Sequence, residues 1–247
     1  MNPLRTWARR SPTLLGLYLR WKGRSQLGVY PGRTAICIEA YPRSANSSTF
    51  RKFKIANPDA MVAHHTHTVG NLAAAVRHGI PTLVLIRRPP EPILSTLVAM
   101  RTPDPDDALS RYLDFYGWVE RRLDALVLAD FERVLEDWNG VIRAVNTRFG
   151  TRFALHGDSE EADRRMKDFI QKRMDAEAEA RHVTNMPLPS AERTALKEQY
   201  REVVEGHALY PEALGVFRRL LPHCVGRGDA GGVDGPGAGL ERSAPAG

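Results

Sequence analysis

The chain has 247 residues, 43% of them hydrophobic and 26% charged, with two cysteines and a formal charge of +6. This is ordinary for a globular protein and long enough for one sizeable α/β domain. No stretch approaches the roughly 18–20 uninterrupted apolar residues of a membrane span, and Cys37 and Cys224 give no disulfide framework, which favours a reducing compartment and a cytoplasmic protein.

The charge is unevenly placed. Residues 1–33 hold Arg5, Arg9, Arg10, Arg20, Lys22, Arg24 and Arg33 and no acid, leaving 28 basic against 29 acidic residues in the remainder. The segment 1–29 therefore reads as a basic N-terminal unit ahead of a near-neutral domain. Leu4, Trp7, Leu14, Leu15, Tyr18 and Trp21 lie among its arginines, so a helix here is basic and amphipathic. It either lies on an anionic lipid surface or packs on the domain with its arginines solvated. The packed reading is preferred because the pattern is irregular and Pro12 interrupts it. The short apolar patch Thr13 to Leu19 is closed by Arg20 and Lys22 without a small-residue cleavage site, so it does not read as a signal peptide. Nothing marks a nucleic-acid recognition module.

After a loop at Gly28 to Gly32, Ala35-Ile36-Cys37-Ile38-Glu39-Ala40 reads as a buried strand, broken at Tyr41-Pro42-Arg43 into small, hydroxyl-rich residues. The helix that follows, through Ser48 to about Ile55, should stop near Asn57-Pro58. Free N–H groups at such a helix start carry partial positive charge, small side chains let an anion approach, and Ser44, Ser47 and Ser48 add donors beside the fixed cation of Arg43. A strand over Met61 to His67 comes next, with His65 and His67 on one face and His64 on the other. A helix over 70–78 is closed by Gly79, a strand covers 82–86, and a cationic Arg87-Arg88 turn leads into a helix over 91–101. This alternation argues for a parallel sheet whose ligands bind at the carboxyl ends of the strands.

Further along, 106–123 is helical, Leu126 to Phe131 is a strand ending at a carboxylate, and Val134 to Phe149 is one amphipathic helix closed by Gly150. Residues 159–180 form a charge-rich helix, Arg181 to Ser190 a loop, and 191–205 and Tyr210 to Leu221 the last helices. From Gly226 onward Gly, Ala and Pro dominate and no core can be built, so 225–247 reads as a disordered tail.

Tyr41-Pro42-Arg43-Ser44-Ala45-Asn46-Ser47-Ser48 resembles the 5′-phosphosulfate loop of the cytosolic and bacterial sulfotransferases, usually Tyr-Pro-Lys-Ser-Gly-Thr-Thr. Ile86-Arg87-Arg88-Pro89, with Ser95 eight residues after Arg87, resembles their 3′-phosphate motif. The two in this order are more specific than either alone, and the likeness covers residues 34–150. It implies a three-layer α/β/α domain over 30–224 with a central parallel sheet, of the P-loop-NTPase-like sulfotransferase fold. It also implies transfer of a sulfuryl group from 3′-phosphoadenosine 5′-phosphosulfate (PAPS) to an acceptor hydroxyl on a carbohydrate, lipid or other small molecule, with no essential metal. Carried over position by position, Arg43 faces the bridging oxygen of the donor. Ser44, Ala45, Asn46, Ser47 and Ser48 form the 5′-phosphate cradle, Arg87 and Ser95 hold the 3′-phosphate, and Arg181 is the nearest match to the C-terminal Arg-Lys-Gly element.

Three departures stand out. Arg43 replaces Lys, so its role is electrostatic rather than proton-donating; Ala45 replaces Gly, which disfavours a positive φ; and Ser48 stands where many relatives place an adenine-stacking Trp. The acceptor's base should be a histidine. His65-Thr66-His67 resembles the family's Lys-Thr-His and selects His67, while ungapped spacing back from Arg87 selects His65. Two other readings stay open: a nucleotide-binding protein without catalysis, and a metal-dependent hydrolase built on His64, His65 and His67. The acceptor and the oligomeric state are beyond the sequence.

Overall fold

The computed structural model describes residues 10–100, 104–157 and 191–227. Four strands form its centre: β1 (Thr34–Ala40), β2 (Met61–His64), β3 (Thr82–Ile86) and β4 (Val127–Asp130). All neighbours are parallel, in the order β2-β1-β3-β4. β3 is the continuous apolar run Thr-Leu-Val-Leu-Ile, buried at every position, as a strand covered on both faces must be.

Side chains alternate between two cores. Cys37, Val84 and Ile86 face one layer with Leu72, Ile93, Leu109, Tyr112, Tyr116 and Phe217, carried by α3 (Val69–Arg77), α4 (Glu91–Met100), α5 (Asp106–Glu120) and the last helix, α9 (Tyr210–Leu220). Ile36, Ile38, Leu83 and Leu85 face the other with Phe53, Val134, Trp138 and Ile142, from α2 (Asn46–Ala56), α6 (Phe131–Glu136) and α7 (Trp138–Phe149). The expected three-layer α/β/α architecture with a central parallel sheet is therefore present. The chain leaves β1 in one direction to reach β2 and returns to place β3 on β1's other side, so the sheet's switch point lies between the carboxyl ends of β1 and β3, where such sheets bind ligands.

The chain leaves helical geometry at Ser11, so the break expected at Pro12 is present, and the proline opens the helix α1 (Pro12–Trp21) that follows. Proline's missing N–H is harmless at the first helical position, and Ser11 caps the turn by accepting the Leu14 N–H at 3.4 Å. The single helix expected from Val134 to Phe149 is two, because Asp137 leaves helical geometry (φ −139°, ψ 67°) to cap α7 through the Gly140 N–H at 2.7 Å. Gly150 closes α7 in the left-handed region, as expected.

Helix α8 (Ala191–Glu205) docks on α4 through Glu91, which pairs with Lys197 at 3.0 Å and Arg201 at 3.1 Å. Residues 224–227 run along the edge of β4: Val225 N–H donates to Leu128 O at 2.9 Å, and the Arg227 guanidinium reaches the buried Asp130 carboxylate at 3.0 Å. Cys37 and Cys224 are both buried free thiols. The sequence expectations for 159–180 and Arg181 to Ser190, and for the tail beyond 227, lie outside the described residues.

Candidate active site

β1 delivers the chain into a tight turn, and the conformations there are unusual. Arg43 and Ala45 both take positive φ (66° and 69°), with Ser44 between them outside that region. Alternation of this kind turns successive N–H groups toward one concavity, the arrangement that cradles anions. Ala45 occupies the N-cap of α2 and offers no side-chain acceptor, so the N–H groups of the first helical turn have no side-chain cap. The positive φ that alanine disfavours is adopted all the same, at roughly 1–2 kcal/mol.

The hydroxyls expected around an anion divide. Ser48 Oγ donates to Ala45 O at 2.9 Å, so its proton holds the turn itself. Ser47 Oγ meets His65 Nε2 at 2.9 Å. Ser44 Oγ is buried without a hydrogen-bond partner. It lies close enough to the Tyr116 hydroxyl to lower that group's pKa, which burial raises overall. The Tyr116 hydroxyl nevertheless gives its proton to Leu85 O at 2.7 Å and accepts the Tyr41 N–H at 3.4 Å, leaving Ser44 without a well-directed bond. Thr49 Oγ1, in the first turn of α2, is a second orphaned hydroxyl. Buried polar atoms are rarely left so; two orphaned hydroxyls behind an uncapped helix start fit an anionic group of the phosphosulfate kind.

The second motif meets the first directly. Arg87, just past β3, donates from Nη1 to Arg43 O at 3.1 Å. Its guanidinium lies 4.1 Å from the centre of the Phe131 ring, and its own carbonyl accepts the Tyr112 hydroxyl at 3.0 Å. Burial lowers the Arg87 pKa, opposed by Glu91 and Glu132, and as a guanidinium it stays charged. Arg88 is exposed. Ser95 is buried inside α4; the contacts of Arg87 go to Arg43 and Phe131 rather than to it.

The histidines do not sit on one extended strand. β2 ends at His64, and His65 and His67 both take positive φ (57° and 52°) in the loop that follows. The cause is Glu39, buried in β1. Its Oε1 accepts the Thr66 N–H at 2.9 Å, the Thr66 hydroxyl at 2.7 Å and Asn71 Nδ2 at 2.9 Å, and its Oε2 accepts the His67 N–H at 3.0 Å. One carboxylate thus folds the loop back onto the end of β1. Among the described residues, Arg43, Ala45, His65 and His67 are the four non-glycine residues with positive φ, and both turns that hold them open at the same edge of the sheet.

The ring of each histidine has a different environment. His64 stacks on Phe50, with centres 3.8 Å apart, and burial, then His67 and Lys54, lower its pKa to about 4. His65 spends one ring nitrogen on His64 Nδ1 and the other on Ser47. His67 Nδ1 lies 2.8 Å from Ala40 O. A carbonyl only accepts, so Nδ1 carries the proton in the neutral ring and Nε2 holds the lone pair. Asn46 Nδ2, 3.2 Å from that same Nδ1, would then oppose donor to donor while its buried Oδ1 has no partner; reversing the amide resolves both. Among the described residues, no three His, Cys, Asp or Glu side chains converge as a metal site.

Glu39 escaped the sequence reading, although an acid inside an apolar strand is a signal, since such a residue is almost never buried without partners. Tyr112 and Tyr116 of α5, and the bracing role of Tyr41, also escaped it. Tyr41, Tyr112 and Tyr116 donate to Ala108 O, Arg87 O and Leu85 O and so brace the ends of β1 and β3. Arg181 lies outside the described residues.

The chain matches no family model and no curated protein. Among solved structures it is similar to mouse sulfotransferase SULT7A1 complexed with PAP, at 11% identity and a TM-score of 0.39, covering 82% of this chain and 88% of that one. Among the described residues no helix is long and apolar enough to cross a membrane.

Proposed function

We propose that the protein is a sulfotransferase that uses PAPS as donor and a hydroxyl compound as acceptor. The observation that carries this reading is the anion cradle at the sheet's switch point: two left-handed residues, an uncapped helix start and the orphaned Ser44 hydroxyl, joined by hydrogen bond to Arg87. When bound, the donor supplies a sulfuryl group on a good phosphate leaving group.

In this reading the N–H groups of the 43–48 turn and the Ser44 hydroxyl hold the 5′-phosphate end. Arg43 neutralises charge on the bridging oxygen electrostatically, since a guanidinium does not readily release a proton. Arg87, and Ser95 further along α4, are assigned to the 3′-phosphate. His67 Nε2 is the base in preference to His65, whose two ring nitrogens are engaged. It takes the acceptor hydroxyl's proton as that oxygen bonds to sulfur, while the sulfur–oxygen bond to the phosphate breaks and its electron pair stays on the leaving oxygen. The Ala40 carbonyl and Glu39 fix the tautomer and position of that ring. The two buried thiols favour a reducing, cytoplasmic setting.

The test is calorimetric titration with 3′-phosphoadenosine 5′-phosphate and with 5′-AMP, on the wild type and on Arg43→Ala and Arg87→Ala. The expected result is at least about tenfold preference for the 3′-phosphorylated nucleotide, whose affinity falls by about tenfold or more in each variant, as for one charged contact. A folded wild-type protein that binds neither nucleotide would overturn the reading. Binding without turnover across an acceptor screen would leave a nucleotide-binding protein instead.

A further inference from the structure

The N-terminal helix is apolar on two faces, and the domain uses only one. Leu15 and Leu19 are buried against the body. Leu14, Leu17, Tyr18 and Trp21 follow the i, i+3, i+4, i+7 spacing of a second stripe, which an ideal helix places within about 100° of arc on its outer side. Leu17 is 58% exposed, Tyr18 52% and Trp21 76%. Among the described residues, the other exposed large hydrophobic side chains are Ile55, Met100, Leu135, Leu155 and Val203, each alone on its own segment. A single scattered apolar side chain needs no explanation; three on two turns of one helix do.

The chemistry around the stripe selects its partner. Arg20, Lys22 and Arg24 are exposed at the same end, and Lys22 Nζ sits 4.3 Å over the Trp21 ring. Residues 1–33 contain seven cations and no acid, so nothing in that segment neutralises the field. Arg10 is engaged with Asp114 on α5 and serves to fasten the helix. Protein interfaces exclude lysine from their centres, whereas aromatic rings among Lys and Arg, with aliphatic side chains beside them, are the composition that seats at the headgroup boundary of an anionic bilayer.

We propose that α1 is a membrane-surface docking helix, held on the domain by Leu15 and Leu19, which presents Leu14, Leu17, Tyr18 and Trp21 to anionic lipid under a collar of Arg20, Lys22 and Arg24. The contact is peripheral and reversible. It is independent of what binds at the sheet's carboxyl edge.

The experiment is vesicle co-sedimentation of the full chain, without nucleotide, on phosphatidylcholine vesicles with and without phosphatidylserine, over a range of salt. Binding should require phosphatidylserine and weaken as salt rises. The pair Leu17→Glu and Trp21→Ala, both at exposed positions, should lower the partition coefficient by about tenfold or more while thermal unfolding stays at the wild-type temperature. Arg20→Glu with Lys22→Glu should weaken binding and flatten its salt dependence. Equal binding to both vesicle types, no binding to either, or a stripe variant that binds as wild type would overturn the proposal. So would light scattering that shows a dimer abolished by Leu17→Glu, since the stripe would then be covered by a second copy.

Discussion

Glu39→Gln is the substitution that most directly probes how the site is assembled. Glu39 is fully buried and accepts four hydrogen bonds, three through Oε1 and one through Oε2. Glutamine keeps the shape and one acceptor oxygen. Its amide nitrogen must replace the other, and the less costly choice puts it against the single donor at Oε2, the His67 N–H. That removes one hydrogen bond to a charged acceptor, worth about 1.5–3 kcal/mol, and sets two donors face to face. The Asn71 bond and both Thr66 bonds also lose their charge assistance. A loss of about 2–4 kcal/mol in unfolding free energy follows, measured by urea denaturation. In the same variant the amide resonance of His67 should shift more than those of the 43–48 turn, and nucleotide affinity should change less than about threefold, because the anion cradle is built from other residues. Turnover, if it depends on His67, should fall by two orders of magnitude or so. A variant within about 0.5 kcal/mol of wild type, with the His67 amide unmoved, would refute the claim that Glu39 organises this loop.

Other consequences are separately measurable. His64 has a folded pKa of about 4 against an ordinary 6.5, so between those values the unfolded chain binds more protons and stability falls as pH falls. Linkage gives a loss of about 2 kcal/mol between pH 7.5 and pH 5, and His64→Phe, which keeps the stack on Phe50, should remove most of it; a pH dependence unchanged in that variant would sink the assignment. Ala45→Gly, at φ 69°, trades roughly 1 kcal/mol of relieved strain against a similar gain in unfolded-chain entropy. Its stability should stay within about 0.5 kcal/mol of wild type, whereas Ala45→Val should cost more than about 1 kcal/mol. Arg227→Ala leaves the buried Asp130 carboxylate without its cation while its N-cap bond to Arg133 remains; a cost of about 1 kcal/mol, discounted because Arg227 is half-exposed, should appear in thermal unfolding.

Much of this architecture could be read from the sequence because it rests on local rules. The runs at 34–40 and 82–86 are apolar and β-branched over lengths that only a buried strand explains, and Gly79 and Gly150 mark helix ends by their conformational freedom. The turn at 41–48 announced itself through small hydroxyl residues between a strand and a helix. Part of what stayed hidden depended on partners distant in sequence, and part on capping bonds that periodicity does not reveal. His65 and His67 were expected on one face of a strand because nothing local ends β2 at His64; a carboxylate in another strand does. Asp137 breaks what periodicity reads as one helix, since its capping bond to Gly140 outweighs one turn of continuity. Pro12 marks a break that is there; the Ser11 cap on the turn it begins escaped the sequence reading.

The four left-handed residues connect these failures. Each costs roughly 1–2 kcal/mol, and none is glycine, so the turn at 43–45 and the loop at 65–67 persist only because other groups over-determine them. For the first turn those groups are Arg87, which grips the Arg43 carbonyl, and Ser48, which grips that of Ala45. For the second they are the two oxygens of Glu39 and the Ala40 carbonyl beneath His67 Nδ1. Both sets of supports converge on the end of β1 and on the switch point beside it. A chain selected for stability alone would relieve such strain with glycine or a looser loop. Its concentration at the one sheet edge where two orphaned hydroxyls, a fixed guanidinium and a tethered imidazole converge is the physical reason to look there for chemistry. By the same reasoning, Ala45→Gly should be tolerated in stability, whereas substitutions at Glu39 or Arg87 should not.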